Sequence, residues 1–428
     1  MKKIINPDKK NWSSLIERPS LSYENIEPLA KKIFRDISNY GDSAINKYSK
    51  KFDNIELDSF KVKRDEILKA INNVPLDLKL AIQNAKKNIK IFHEAQITKP
   101  IKVETQPGVL CWQKKIPIER VGLYIPGGSA PLFSSILMLS IPAKVAKCGQ
   151  VIMCSPPDAN GNLADVILYT ANLCGVDEIY KIGGIQAIAA MTFGTKSIPK
   201  VDKIFGPGNQ YVTVAKQLAA QHKVAIDLPA GPSELMVVAD KSANPDFIAS
   251  DLLSQAEHGP DSQVYLITND IKIADMTINK LNLQLNLLER KDIANKALNN
   301  SKVICFEDYS DLIDFTNLYG PEHLIVCLEN INEFIDKIIN AGSVFIGNFT
   351  PESAGDYASG TNHTLPTNGY SRQYSGVNLD SYLKAVTFQK ISPEGLSKLG
   401  PMVEKMASAE GLEAHRNAIS IRLKSLWS

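Results

Sequence analysis

The feature that most constrains the fold of this chain is a regular alternation of apolar runs, glycine-rich turns and helical patterns between residues 151 and 240. Apolar runs at 151–154, 178–182 and 203–205 are each followed by a segment with helical periodicity. Strands buried on both faces of a parallel sheet have such continuous apolar sequences, and helices make the crossovers between them. The pattern therefore predicts βαβ units and a parallel sheet.

The same alternation returns at 264–350, where four apolar runs are separated by helical segments. We expect a second parallel sheet here, with the boundaries between the two sheets near residues 124 and 234. The first sheet would then interrupt the domain that contains the second. The predicted fold class is α/β, with two Rossmann-like parallel-sheet domains, one inserted in the other, and helical N- and C-terminal extensions.

The remaining segments complete the predicted organisation. Residues 1–21 are polar and weakly patterned, which favours a docking arm, while helical periodicity starts at about Tyr23 and returns after Ser375 until the chain ends. The predicted domains are an arm at 1–21, a first α/β domain at 22–123 and 235–377, an inserted α/β domain at 124–234, and a helical tail at 378–428.

Charge and cysteine usage argue against several classes of protein. The formal net charge of +2 gives no reason to expect a nucleic acid or an anionic membrane as partner. The N-terminal residues are basic but lack the apolar stretch of a secretory signal. None of the six cysteines belongs to a CxxC pair, which favours free thiols in a reducing compartment, so we expect a cytoplasmic protein.

The end of one predicted helix carries two possible metal ligands. The helix is expected to begin after Asn244, which can cap it, and to end at Gly259 before Pro260. Gln255 and His258 lie on a polar stripe along the edge of its apolar face, so both point toward one half-buried place. A histidine that caps the end of its own helix is the alternative interpretation.

Two more residues could complete such a site. Asp356 lies in a loop too rich in small residues to form a core, and His415 lies beside the apolar stripe of the last helix. With Gln255 and His258 they would form a mixed nitrogen and oxygen donor set, which suits zinc or another first-row divalent metal. The other histidines have lysine, polar or loop neighbours and are expected at the surface; they are His93, His222 and His363.

An acid and a base stand together just before the apolar run at 324–328. We expect Glu322 and His323 at the start of a strand, where adjacent side chains point to opposite sides. They could then serve two separate proton transfers as general bases. A turn that faces solvent is the alternative interpretation.

Two glycine turns follow predicted strands and precede predicted helices. The amides and helix dipoles at Gly183-Gly184 and at Gly206-Pro-Gly208 would suit a diphosphate at the carboxyl ends of the strands. The standard dinucleotide fingerprint is missing, because no GxGxxG with an acidic residue about 20 positions later occurs. Glycines that only form tight turns explain the pattern equally well.

Seven motifs together resemble those of histidinol dehydrogenases, in the same order along the chain. The resemblance is strong from about Val121 to the C-terminus and weak over roughly the first hundred residues. The motifs that carry it are RVGLYIPGGSAPL at 120–132, GGIQAIA at 183–189, FGPGN at 205–209, PAGPSE at 229–234, QAEHG at 255–259, GPEHL at 320–324 and EGLEAH at 410–415.

The resemblance implies a zinc-dependent dehydrogenase that oxidises L-histidinol to L-histidine through histidinaldehyde with two NAD, the final step of histidine biosynthesis. It implies one zinc ion per subunit, held by Gln255, His258, Asp356 and His415. It implies that NAD contacts Tyr124, Gln186 and Asn209. Substrate contacts are implied for the four zinc ligands and for Ser233, Glu322, His323 and Glu410.

The resemblance also implies roles for these residues and for the domains. His323 would remove the alcohol proton as hydride leaves, and Glu322 would activate the water that adds to the aldehyde, while zinc mainly orients the substrate. The inserted domain would bind NAD, and the first α/β domain would carry the metal ligands and bases. Members of the family are homodimers, which implies that the C-terminal tail serves dimerisation and that Glu410 and His415 complete the partner's site.

Two other functions remain compatible with the residues. A zinc hydrolase would use Glu322 as its general base, with the glycine turns purely structural. A cysteine-dependent aldehyde dehydrogenase would form a thiohemiacetal on one of the six thiols. Reduction of nicotinamide by an amino alcohol would separate the first function from the hydrolase, and Cys→Ser variants would separate it from the thiol enzyme.

Overall fold

The chain divides into two compact units. The computed structural model describes residues 1–19, 26–127, 131–229 and 231–427. The first unit consists of Met1–Gln96 and Ile118–Tyr382, and the second unit consists of Ile97–Pro117 and Leu383–Ser428. Tyr23 and the predicted domain boundary between residues 21 and 22 lie outside the described residues. None of the described helices is both long and apolar enough to cross a membrane.

The larger sheet of the first unit has six strands, and every pair of neighbours is parallel. From edge to edge the strands are β1 (Lys2–Ile5), β11 (Lys302–Cys305), β10 (Gln263–Thr268), β9 (Glu234–Ala239), β12 (His323–Cys327) and β13 (Ser343–Ile346). Every residue of β9, β10 and β12 is buried, which explains their nearly continuous apolar sequences. The second predicted sheet is therefore confirmed.

The smaller sheet of the first unit has five parallel strands. In spatial order they are β6 (Glu178–Lys181), β5 (Gln150–Ser155), β4 (Arg120–Tyr124), β7 (Lys203–Phe205) and β8 (Ala225–Ile226). The chain builds the sheet outward from β4 in one direction and then returns to add β7 on its other side. This reversal places a crevice between the carboxyl ends of β4 and β7, where open α/β sheets commonly bind ligands.

Helices surround both sheets, and the predicted α/β alternation is confirmed. Those of the first unit are α1 (Trp12–Leu15), α2 (Glu27–Tyr40), α3 (Asp42–Phe52), α4 (Arg64–Asn73), α5 (Leu76–Glu94), α6 (Phe133–Val145), α7 (Asp165–Leu173), α8 (Gly184–Phe193), α9 (Gln210–Gln221), α10 (Pro245–Ala256), α11 (Ile271–Leu285), α12 (Lys291–Asn299), α13 (Tyr309–Tyr319), α14 (Ile331–Ile335) and α15 (Glu352–Tyr357). In the N-terminal extension, Ile33 and Phe34 of α2 share a buried cluster with Ile188 of α8.

The N-terminal arm is docked along the larger sheet. Strand β1 pairs with β11 at the sheet edge. Trp12 is buried, and its ring lies 5.4 Å from the rings of both Phe306 and Phe315. A single aromatic residue therefore anchors a segment whose overall polarity shows no periodic pattern.

The second unit combines a small antiparallel sheet with two helices. Its elements are β2 (Ile101–Gln106), β3 (Val109–Pro117), β14 (Leu383–Ile391), α16 (Pro393–Ala409) and α17 (Glu413–Trp427), and the strand order is β14-β3-β2. The expectation of continuous helix after Ser375 is wrong, because β14 pairs along nine residues with β3. Its alternating sequence suits a strand, and its pairing partner lies far away in the chain.

Candidate active site

A cavity of about 400 Å³ in the first unit brings both parallel sheets to one place. One wall is the turn from Gly206 to Asn209, which follows the carboxyl end of β7. Another part of the cavity wall contains Ser233, Glu322 and His323, at the amino ends of β9 and β12. The smaller sheet thus contributes the expected strand end, whereas the larger sheet contributes the opposite one.

Glu322 and His323 lie side by side in this wall. Nδ1 of His323 is 3.5 Å from Oε2 of Glu322 and 3.2 Å from the carbonyl oxygen of Glu234. Oε2 of Glu322 also accepts the backbone N–H of Glu234 at 2.8 Å. The expectation that the two side chains point to opposite sides is wrong, because Glu322 precedes β12 and strand alternation does not govern it.

The other ring nitrogen of His323 faces Asp356. Nε2 lies 3.4 Å from Oδ1 of Asp356, but the two atoms are not aligned as a hydrogen bond, and both are buried. Burial alone would lower the pKa of His323, but the Glu322 charge and the Asp356 carboxylate raise it well above its usual range. Burial opposes ionisation of Asp356, yet His323 and the nearby histidines hold the pKa of Asp356 below its usual range.

Four side chains form a candidate metal centre beside these bases. His258, Glu352 and Asp356 each offer a ligand atom, and these atoms all lie within 4.8 Å of one another. Gln255 lines the same cavity, and its Oε1 atom is buried without a hydrogen-bond partner in the described part of the chain. Oxygen acceptors without donors, next to an imidazole, fit the needs of a divalent cation. The residues present therefore fit a metal ion.

Local structure explains how Gln255 and His258 come together. Helix α10 begins after Asn244, whose side chain accepts the N–H of Asp246. It ends at Ala256 instead of the expected Gly259, and the N–H of His258 bonds to the Gln255 carbonyl at 3.3 Å. His258 thus leaves the helix in a turn and exposes its ring to the cavity. Surrounding protein nevertheless lowers the pKa of His258 by desolvation.

Glu352 is a site residue that the sequence patterns did not reveal. It lies one helical turn before Asp356 on α15, and its carboxylate accepts the hydroxyl of Ser254 at 2.8 Å. Burial raises the pKa of Glu352 to about 8, and the charge of Asp356 adds to this effect. Burial therefore favours the protonated form of Glu352 beside Asp356. The i, i+4 spacing of two acids in a loop with small residues was the available signal.

Of the three residues that the resemblance assigns to NAD, Asn209 lines the cavity, and Tyr124 and Gln186 lie near the start of α8. Asn209 lines the cavity and caps α9, accepting the N–H groups of Tyr211 and Val212. The hydroxyl of Tyr124 accepts the N–H of Gly184 at 3.1 Å, at the start of α8. These two side chains lie at the ends of β4 and β7, which border the crevice of the smaller sheet.

The third residue of this set, Gln186, lies near Tyr124 on α8. Its amide donates to the carboxylate of Asp53 at 3.3 Å. Burial raises the pKa of Asp53, an acid contributed by the segment that follows α3. Neither Tyr124 nor Gln186 is among the described residues that line the cavity. Asp53, the acid near the Gly183-Gly184 turn, thus comes from an earlier part of the chain. A dinucleotide motif that is read over neighbouring residues could not reveal it.

A buried ion pair fixes the turn that forms the cavity wall. Nζ of Lys216 lies 2.5 Å from Oδ1 of Asp227 and donates to the Gly206 carbonyl at 2.8 Å. The other oxygen of Asp227 accepts the Gly206 N–H at 2.8 Å. Gly206 has φ of +133°, and a Cβ there would lie 2.1 Å from the Tyr124 carbonyl oxygen, so only glycine fits.

Two residues assigned to the site belong to the second unit. Glu410 follows α16 and His415 lies on α17, and both are exposed. Ser233, Gln255, His258, Glu322, His323 and Asp356 lie together in the cavity of the first unit.

Two histidines differ from the expected surface position. His93 is fully buried on α5, where Nδ1 contacts the Ile89 carbonyl at 2.8 Å. His363 lines the cavity, with Nδ1 at 2.8 Å from the Asp356 carbonyl and Nε2 at 3.2 Å from the Ser135 hydroxyl. His222 is exposed, as expected. Polar neighbours in sequence did not indicate surface positions, because packing between distant segments decides burial.

The cysteines give no support to a thiol mechanism. None of them is among the described residues that line the cavity. Burial raises the pKa of Cys148 and of Cys174 to about 11, which disfavours the thiolate that would act as nucleophile.

The fold and the cavity together define an α/β enzyme with candidate bases and candidate metal ligands at one site. The chain matches the histidinol dehydrogenase family over residues 16–423. It belongs to the histidinol dehydrogenase family and is an oxidoreductase.

Individual relatives agree along the whole chain. The histidinol dehydrogenase of Bacteroides thetaiotaomicron is 54% identical over 426 residues, covering 100% of both chains. The crystal structure of histidinol dehydrogenase from Elizabethkingia anophelis superposes with a TM-score of 0.98 at 55% identity, covering 100% of this chain and 99% of that one. A probable aldehyde dehydrogenase from Listeria monocytogenes has a TM-score of 0.50 at 12% identity over 90% and 94% of the chains, a likeness of fold alone.

Proposed function

We propose that the protein oxidises L-histidinol to histidinaldehyde and then to L-histidine, with two NAD as hydride acceptors, as a zinc-dependent enzyme of histidine biosynthesis. The observation that carries the proposal is the grouping of two bases, Glu322 and His323, with Gln255, His258 and Asp356 in one cavity. Relatives that share more than half of their residues with this chain are named for the same substrate. A hydrolase would need no crevice beside a glycine turn at the end of β7.

His323 is suited to take the proton in the alcohol oxidation. Nδ1 faces two acceptors, the Glu234 carbonyl and the Glu322 carboxylate, and therefore carries a hydrogen. The Glu322 and Asp356 carboxylates raise the pKa of His323, so the ring acts as a base only in its neutral form, in which the lone pair is on Nε2, the atom on the Asp356 side. The alcohol O–H bond breaks as its proton moves to Nε2, the carbon transfers a hydride to NAD, and a C=O bond forms.

Glu322 is suited to activate water in the second oxidation. Its carboxylate takes a proton from water while the water oxygen bonds to the aldehyde carbon, and the protonated His323 returns its proton to the carbonyl oxygen, which gives a hydrate and a neutral His323. The hydrate then transfers a hydride to a second NAD and loses a hydroxyl proton to His323, leaving the carboxylic acid. Glu322 contacts both the Glu234 N–H and His323. The base proposed for water activation therefore lies next to the base proposed for the two oxidations.

Gln255, His258 and Asp356 would hold the zinc ion, with His415 as the fourth ligand implied by the resemblance. When bound, zinc would orient the substrate's imidazole and amino nitrogens next to the bases. The buried, unpartnered oxygens of Gln255 and Asp356 support this assignment. A carboxylate oxygen of Glu352 lies within 4.8 Å of the ligand atoms of His258 and Asp356, so Glu352 would either bind the metal or hold Asp356 in position.

NAD would contact Asn209, Tyr124 and Gln186, and substrate would also contact Ser233. The position of Tyr124 and Asn209 at the reversal of strand order supports this part of the proposal. We include a homodimer whose sites are shared, with Glu410 and His415 given to the partner. We also include a cytoplasmic location, which the six free cysteines support.

The proposal is tested by measuring NADH formation over a panel of amino alcohols, together with the metal content of the same preparation. We expect L-histidinol to yield two NADH per molecule oxidised and the active protein to contain zinc. Hydrolysis of an ester or amide without NADH formation would favour the hydrolase. Release of free histidinaldehyde with one NADH would contradict the four-electron reaction.

A further inference from the structure

The N-terminal arm reaches the cavity. Pro19 lines it, and the preceding residue, Arg18, extends into the protein with its side chain only 14% exposed. The arm is held on the larger sheet by β1 and by the buried Trp12. The polar N-terminal arm thus places the guanidinium of Arg18 in the protein interior.

Arg18 forms a fork on the carboxylate of Glu234. Nε donates to Oε1 at 2.5 Å and Nη2 donates to Oε2 at 3.1 Å. Nη2 also donates to the Tyr319 carbonyl at 2.8 Å, and the guanidinium lies 4.1 Å from the centre of the Tyr319 ring. This planar, two-pronged contact fixes both the position and the rotation of the Glu234 carboxylate.

The backbone of Glu234 contacts both proposed bases. Its N–H donates to Oε2 of Glu322 at 2.8 Å, and its carbonyl oxygen lies 3.2 Å from Nδ1 of His323. Strand register explains this arrangement, because His323 pairs with Leu235, the residue that follows Glu234. One peptide segment therefore determines where the Glu322 carboxylate lies and which nitrogen of His323 carries a hydrogen.

The cavity loop is tied to the same carboxylate. The N–H of Asn368, which also lines the cavity, donates to Oε1 of Glu234 at 2.8 Å. The Glu234 side chain therefore joins the arm, the start of β9 and this loop.

Stability alone does not account for a charge at this position. Glu234 is the single charged residue of β9, and its side chain is 4% exposed. Buried ion pairs can often be replaced by apolar residues without loss of stability. An apolar residue at the first position of β9 would match the rest of the strand, so the pair requires another explanation.

We propose that Arg18 and Glu234 are positioning residues, which hold the Glu234 backbone so that the Glu322 carboxylate and the His323 ring are oriented for both oxidations. The inference rests on the proposed function for its catalytic consequence. The contacts that carry it are independent of the metal and of NAD.

The test compares Arg18→Met, Arg18→Lys and the control Lys9→Met in the full-length enzyme loaded with zinc. Lys9 lies on the same arm and pairs at the surface with Asp311 at 2.7 Å, so its loss weakens arm docking without touching Glu234. For Arg18→Met we expect kcat to fall about tenfold or more in both half-reactions, with KM for NAD within about twofold of wild type. Arg18→Lys should be intermediate, because an ammonium cannot form the fork. Lys9→Met should keep wild-type kcat.

A second readout does not depend on activity. The Nδ1–H group of His323, held against a carbonyl oxygen, should give a slowly exchanging downfield N–H resonance in protein labelled at its six histidines. The resonance is assigned by its loss in His323→Asn. We expect it to disappear in Arg18→Met and to persist in Lys9→Met. If Arg18→Met does not fold, Arg18→Lys tests the positioning role. A reduced kcat together with faster solvent exchange of the His323 Nδ1–H would support it.

The two proposals fail in different ways. Wild-type enzyme that forms no NADH from L-histidinol would overturn the proposed function. The His323 Nδ1–H resonance in the Arg18 variants would still show whether Arg18 and Glu234 position the ring. Active wild type, with Arg18 variants that keep both kcat and the resonance and lose only thermal stability, would overturn the positioning role.

Discussion

Oε2 of Glu322 lies 3.5 Å from Nδ1 of His323, and the same oxygen accepts the N–H of Glu234. The two proposed bases are therefore neighbours in one cavity, and Nδ1 of His323 faces Glu322 while its Nε2 faces Asp356. In the proposed reaction this arrangement gives each residue a separate atom for proton transfer.

Glu322→Gln should slow aldehyde oxidation much more than alcohol oxidation, by on the order of 10²-fold or more. The amide oxygen can still accept the Glu234 N–H, so the side chain keeps its place while losing its basicity. Stopped-flow NADH formation from histidinol and from histidinaldehyde measures the two steps separately. Equal losses in both steps would show that Glu322 does not have this specific role.

Removing one member of the metal cluster should reduce bound zinc. We expect His258→Ala and Gln255→Ala to lose most of it, and Glu352→Gln to bind zinc roughly 10- to 100-fold more weakly. His222→Ala, an exposed histidine outside the described cavity lining, is the matched control. Metal analysis after dialysis against a graded chelator gives the affinities. Full activity in protein shown to be free of metal would exclude a role for zinc.

Zinc should be retained to a lower pH than at an ordinary histidine site. A ligand histidine must be neutral, and burial lowers the pKa of His258, so protons compete for it only below the usual imidazole range. Zinc content at equilibrium, measured from pH 8 down to pH 5, tests this. Release centred above pH 6.5 would contradict the direction of the shift.

Asp251→Asn should stabilise the protein more at pH 8 than at pH 5. Asp251 is buried on α10, and burial raises its pKa to about 7. The folded protein favours the protonated form of Asp251. The contribution of Asp251 to the free energy of unfolding is therefore fully present below its unfolded pKa of about 4 and is lost as the pH rises through its folded pKa of about 7. The gain at pH 8 is at most about 4 kcal/mol. Thermal unfolding at both pH values measures it, with the exposed Asp246→Asn as control; a gain independent of pH would contradict it.

Mixed dimers should recover activity if His415 completes the partner's site. His258→Ala and His415→Ala homodimers should both be inactive, since each site lacks a ligand. Random exchange gives half heterodimers, each with one intact site, so about a quarter of wild-type activity should return. No recovery, with heterodimers demonstrated by a size-distinguishable tag, would mean that His415 serves its own subunit.

Local sequence determined much of the architecture. Continuous apolar runs bounded by glycine turns predicted both parallel sheets, because buried parallel strands need apolar residues on both faces. The cap at Asn244 and the spacing of Gln255 and His258 predicted that these two ligand candidates point to one place, and both line the cavity, although α10 ends at Ala256 and His258 reaches the cavity from the turn that follows. The acid and base at 322–323 were visible as polar residues directly before an apolar run.

Contacts between distant segments decided the rest. The pairing of β14 with β3, the burial of His93 and the placement of Glu352 beside His258 each join residues far apart in sequence. Arg18 and Glu234 are separated by 216 positions, and neither carries a local signal of the other. Periodicity reports which face of an element is buried, but which partner covers that face is set by how the elements pack. Only the tertiary structure could therefore show that the polar N-terminal arm reaches the cavity that Glu322 and His323 line.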